Sequence, residues 1–82
     1  MKSAAYIQRL FKDYRVLNYR KERGVYTDYV IHSFELKHRS LNVTCRYDVM
    51  IYDDLSNFTA KGKREQAQAA ELVMALDGLP RY

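Results

Sequence analysis

Ile7, Leu10, Phe11, Tyr14 and Leu17 recur at intervals of three and four, the spacing that lines one face of a helix. Neither Gly nor Pro interrupts the chain before Gly24, so the pattern predicts an amphipathic helix from Ser3 to Arg23, opened by Ser3 as its cap. Projected at about 100° per residue, Arg9, Lys12, Arg15, Arg20 and Arg23 fall on the opposite face. Val16 and Tyr19 fall among them and do not suit a solvated basic face. The helix therefore bends or ends near Leu17, or is covered on two sides; the periodicity leaves these open.

Beyond Gly24 the period changes. The stretch VYTDYVIHSFEL from Val25 is dense in β-branched and aromatic residues and reads as a strand. Lys37, His38, Arg39 and Ser40 break it. Leu41, Val43, Cys45, Tyr47, Val49 and Ile51 then alternate with Asn42, Thr44, Arg46, Asp48, Met50 and Tyr52, the pattern of a strand with one face buried. Asp53, Asp54, Ser56 and Asn57 suit a turn, and Phe58 to Ala60 supply a short third strand. Gly62 precedes an alanine-rich helix to about Asp77, with Ala69, Leu72, Val73, Leu76 and Leu79 as its apolar stripe, Gly78 as its C-terminal cap and Pro80 as a stop. The predicted fold is α+β, in the order α-β-β-β-α, with two helices packed on one face of a three-stranded antiparallel sheet. Residues 1–82 form one domain, with no internal repeat or linker.

Composition narrows the functional classes. With 48% hydrophobic residues, one proline and three glycines, the chain is expected to fold. The single Cys45 cannot form an internal disulfide and sits in the alternating run, as expected of a buried thiol in a reducing compartment. No apolar stretch approaches the ~18 residues of a membrane span. Met1 to Ala5 lead into a charged pattern, without a signal-peptide core. The expected location is intracellular, cytoplasmic or nuclear, with no membrane partner.

The net charge of +4 is unevenly spread: residues 1–24 hold seven basic and two acidic side chains, residues 25–60 three and five, and residues 61–82 four and three. Such localisation suits a polyanionic partner. Catalytic chemistry is poorly provided for. His32 and His38 lack a Cys or second His at ligand spacing, and Asp53 and Asp54 suit backbone bonding in a turn better than paired-carboxylate catalysis. No phosphate loop or nucleophile elbow occurs. The expectation is a binding protein and not an enzyme, with no metal, cofactor or small-molecule substrate.

Two basic clusters remain. Lys61, Lys63 and Arg64 stand at the start of the last helix, where unpaired N–H groups and the helix dipole favour an anion. Lys37, His38 and Arg39 form a compact basic tip between the first two predicted strands. With that element order, the chain resembles the double-stranded RNA-binding domain family over nearly its whole length. LNYRKERG is similar to the family's first-helix ending and TDYVIHSFE to its first strand. LNVTCRYDVMI is similar to its second strand, and NFTAKGKREQAQAAELVMAL to its third strand and last helix.

The resemblance implies shape-based binding of double-stranded RNA over about 16 base pairs. The first helix and the loop between strands one and two would enter successive minor grooves, and the last helix would meet the phosphates between. It places Asn18 where the family usually has Glu, with Arg15 one turn before, and His38 near the family's loop histidine but one position off. The loop's Gly-Pro-x-His pattern is missing, and Lys63 and Arg64 meet only part of the Lys-Lys-x-Ala-Lys pattern, Gln66 and Ala67 standing where Ala and Lys are usual. The expected RNA-binding set is Arg15, Asn18, Lys37, His38, Arg39, Lys61, Lys63 and Arg64. The alternatives are a protein-interaction or dimerisation module of the same fold, favoured by eight tyrosines, and duplex DNA binding through the same surfaces.

Overall fold

The computed structural model describes residues 3–25 and 28–79. Its elements are α1 (Ala4–Leu10), β1 (Tyr14–Arg23), β2 (Tyr29–His38), β3 (Thr44–Tyr52) and α2 (Ala60–Ala75), followed by a 3-10 turn over Leu76–Gly78. The order α-β-β-β-α is the predicted one, and the sheet is antiparallel with β2 in the centre.

That order is reached by a different partition of the chain. The helix predicted to Arg23 ends at Leu10, and residues 14–23 are a strand. Val16, which did not fit the helical face, is the reason: in β1 it points inward and is 2% exposed. Phe58 to Ala60 form no strand. Phe58 closes a turn onto the Leu55 carbonyl, and Thr59 caps α2 by accepting from the Gly62 N–H. Gly62 consequently lies inside the helix, not before it.

Smaller boundaries move too. β2 starts at Tyr29 and runs through the polar Lys37 and His38, while β3 begins only at Thr44. Leu41 and Val43, read as inward strand positions, are exposed in the connection. Ser3 caps α1 as expected, its hydroxyl accepting from the Tyr6 N–H. Gly78 does not adopt the left-handed conformation of a C-terminal cap. Its role is close approach: a Cβ there would strike the Gln8 side chain, which is bonded to the Ala75 carbonyl. Pro80 lies outside the described residues.

Both helices pack on the sheet face that carries Val16, Phe34 and Leu36, where Leu76 and Leu79 from the end of the last helix complete the buried cluster. Phe11, Tyr14, Tyr19, Tyr47, Val49 and Leu72 surround it. Two polar bonds fasten α1 to α2, from the Ala4 N–H to Glu71 and from Gln8 to the Ala75 carbonyl. Cys45 is half-buried, less enclosed than expected.

Candidate nucleic-acid interface

In an antiparallel sheet, directly opposed residues share a face, so the register sorts the charged side chains. Arg15 opposes Lys37, Leu17 opposes Glu35, and Arg20 opposes Ser33; Glu35 and Ser33 in turn oppose Arg46 and Asp48. These residues occupy the face turned away from the helices. Lys21 opposes His32 and Arg23 opposes Val30, which puts both on the helix-bearing side.

Arg15 and Asn18 are therefore strand residues, not the helical pair expected. The chain bulges between Leu17 and Arg20, where Asn18 and Tyr19 together oppose Phe34. Asn18 has a φ of 52°, and asparagine tolerates that left-handed conformation better than most residues. Its side-chain amide donates to Glu35 across the strand pair. A shallow polar depression beside the bulge includes Arg20, Ser33, Glu35 and Arg46.

Lys37 and His38 end β2 and Arg39 opens the β2–β3 connection, so the trio does not lie between strands one and two. His38 organises this turn. Its Nδ1 accepts from the backbone N–H groups of Ser40 at 3.2 Å and Leu41 at 3.0 Å, while the ring meets Tyr14 edge-on. The Arg39 N–H reaches the Asp13 carbonyl at 2.8 Å. This end of the sheet is separated from the start of α2 by the length of β3, about 30 Å at some 3.3 Å per residue.

At the other end, Lys61, Lys63 and Arg64 are exposed in the first turns of α2, and that first turn carries no acidic residue. Lys61 reaches Glu65 only at 4.0 Å, an exposed pair of small energetic weight. Arg23, the last residue of β1, is bonded bidentately to Asp53 at 2.6 and 3.0 Å. That guanidinium holds the Asp53 carboxyl below its usual range, and the Ser56 N–H does the same for Asp54. Both aspartates thus have structural partners, in line with their reading as turn residues. The connection between β1 and β2 is at this end as well; Tyr26 and Thr27 within it lie outside the described residues.

Sequence reasoning missed the placement of Lys21 and Arg23 on the helix-bearing side of the sheet. Only the β1–β2 register reveals their side of the sheet. It also missed a buried polar pair: the Tyr19 hydroxyl hydrogen-bonds His32 Nδ1 at 2.7 Å, with His32 only 8% exposed. Burial, assisted by the Lys21 charge, lowers the His32 pKa.

Among the described residues there is no group of three or more His, Cys, Asp or Glu able to hold a metal, and no helix long and apolar enough to cross a membrane. Compared with family models, curated proteins and solved structures, the chain gives no match, so its functional reading rests on its own residues and their placement.

Proposed function

We propose that the chain binds double-stranded RNA, with the start of α2 as the principal phosphate-binding element. The observation that carries this reading is the exposed trio Lys61, Lys63 and Arg64 in a helix start without a first-turn acid. Cations oppose the positive end of the helix dipole, and an incoming phosphate relieves that conflict while bonding both side chains and amides. Lys21 adds a positive side chain on the helix-bearing side of the sheet, where the Arg23 charge is paired with Asp53. The α-β-β-β-α order shared with double-stranded RNA-binding domains supports RNA as the duplex, because that family reads A-form shape and 2′-hydroxyls. The segments likened to its first-helix ending, first strand and second strand fall on β1, β2 and β3 here, so the order and not the segment-by-segment likeness carries this support.

Under this reading the family's loop patch maps by element order to residues 24–28, between β1 and β2. Lys37, His38 and Arg39 would meet RNA only if the duplex extended to the far end of the sheet. Arg15 and Asn18, on the helix-free face, would contact it only by a route unlike the family's.

The test is a titration with a labelled RNA duplex of about 20 base pairs, longer than the ~16 that such a domain spans, with equal-length DNA as competitor and salt varied. We expect salt-sensitive binding that DNA competes poorly, lost with Lys63→Ala and Arg64→Ala together and retained with Lys37→Ala and Arg39→Ala. Absence of binding at low salt, or indifference to the Lys63 and Arg64 changes, would overturn the proposal.

A further inference from the structure

Among the described residues, β3 is an edge strand, paired with β2 on one side only. Cys45, Tyr47, Val49 and Ile51 oppose residues of β2 that face the helices, and Thr44, Arg46, Asp48 and Met50 are the exposed alternates. The Met50 carbonyl and the Tyr52 N–H, both on even-numbered residues, meet Gln66 and so point away from β2. By the alternation of an antiparallel strand, the backbone groups of Thr44, Arg46 and Asp48 point outward as well. Gln66 closes the edge at residues 50–52 but not at residues 44–48.

Beside this open stretch runs an apolar groove between β3 and the two helices, lined by Leu10, Phe11, Tyr47, Val49, Ala69 and Leu72 among others. Leu10 is 53% exposed at its rim. An open strand edge next to an apolar groove is the geometry that receives an added strand. The sequence of β3 specifies which strand fits.

We infer that β3 pairs antiparallel with β3 of a second copy, about a two-fold axis through Tyr47, joining two three-stranded sheets into one. In that register Arg46 lies directly opposite the partner's Asp48, and Asp48 opposite the partner's Arg46. All four are residues whose backbone groups point outward, so each cross-pair closes two ladder hydrogen bonds. Opposite charges in direct cross-strand pairs stabilise, and like charges destabilise. On the other face, Tyr47 meets the partner's Tyr47, and Cys45 meets the partner's Val49, bringing half-buried apolar side chains to the helix-side groove.

Neighbouring registers are worse. An axis through Arg46 sets arginine against arginine, and one through Asp48 sets aspartate against aspartate. One through Cys45 sets Arg46 against Thr44 and Asp48 against Asn42, outside the strand, so no opposite charges meet. One through Val49 sets both Arg46 and Asp48 against the residues that Gln66 closes, Tyr52 and Met50, whereas the axis through Tyr47 reaches that edge only with its outermost strand pair, Thr44 and the partner's Met50. The interface is isologous and self-terminating, as a two-fold dimer requires. It stands independently of the RNA reading, because it uses neither the start of α2 nor any nucleic acid.

The test is sedimentation velocity across a dilution series of the full chain without RNA. Wild type is expected to dimerise reversibly. Arg46→Asp and Asp48→Arg should each be monomeric, since each sets like charges in both cross-pairs. Their side chains are 69% and 55% exposed, so both variants should fold, which circular dichroism checks. An equimolar mixture of the two variants should form a heterodimer, because both cross-pairs then join opposite charges.

The mixture also separates interchain pairing from the Arg46–Asp48 contact of 3.6 Å within one chain, which neither variant can make. A wild type monomeric at its highest soluble concentration, dimers indifferent to either reversal, or a mixture that stays monomeric would each overturn the proposal.

Discussion

Gln66 donates from Nε2 to the Met50 carbonyl at 2.8 Å, while its Oε1 accepts from the Tyr52 N–H at 2.9 Å. One amide side chain on α2 thus does for the end of β3 what a neighbouring strand would do, satisfying an outward acceptor and an outward donor together. It also fixes the helix against the strand edge at a position where the contact is polar.

Replacing Gln66 with alanine should therefore weaken the fold by about 1–2 kcal/mol, the loss of two hydrogen bonds in a partly buried setting. Urea unfolding of Gln66→Ala against wild type measures it. Gln66→Glu should recover only part of the loss, since its carboxylate can accept from Tyr52 but cannot donate to Met50.

The bulge at Asn18 makes a sharper demand on residue type. At a φ of 52°, a β-branched side chain is strained by about 1–2 kcal/mol, whereas glycine is not. Asn18→Val should lower the unfolding free energy by at least that amount, because the bond to Glu35 is lost as well. Asn18→Gly, which loses only the bond, should stay closer to wild type. Equal destabilisation by the two would show that the hydrogen bond, and not the backbone, makes the position selective.

His32 makes stability depend on pH. Its folded pKa lies below the 6.5 of an unperturbed histidine, through burial first and the Lys21 charge second. The unfolded chain then binds the proton more readily, so stability from this group is present above pH 6.5 and falls as the pH drops toward the folded value. The thermal midpoint should decline between pH 7.5 and pH 5.5, roughly the span over which a histidine near 6.5 titrates. His32→Gln should flatten this part of the profile. An unchanged slope in the variant would assign the acid sensitivity to other groups.

Leu36 is fully buried in the core cluster. Leu36→Ala should cost about 2–5 kcal/mol through lost transfer energy and the cavity left behind. In so small a domain that is a large part of a total stability of about 5–15 kcal/mol, so partial unfolding at room temperature is the expected outcome by circular dichroism.

The alternation from Cys45 to Ile51 and the apolar density from Tyr29 to Leu36 were legible because one buried face imposes a period of two. α2 was legible from Ala69, Leu72 and Leu76 and from the absence of any strand pattern. Residues 14–23 were misread because Tyr14 and Leu17 satisfy helical spacing as well as they fit a strand. The warning was Val16 and Tyr19, which no single helical face could accommodate. The predicted third strand at Phe58 to Ala60 was too short to satisfy the ten residues of β2 along a whole edge, and residues 14–23 have the length to do so.

The basic clusters were visible as residues, but their sides and ends were not. Lys37 and Lys61 both look like ordinary exposed cations in the chain; only the register of β2 and the path of α2 separate them by the length of the sheet. Lys21 joins the helix side solely because the bulge at Asn18 shifts the pairing after Leu17, and a one-residue shift turns every later side chain to the opposite face.

The sequence by itself determined the α+β class, the inward faces of β2 and β3 and the basic start of α2, because periodicity and caps are local properties. It arrived at the α-β-β-β-α order only because a strand missed at residues 14–23 offset one predicted at Phe58 to Ala60. The tertiary structure decided which segment became β1, which face each cation took and which part of the β3 edge stayed open. Those outcomes depend on pairing partners far apart in the chain, and no local window contains the competition between them.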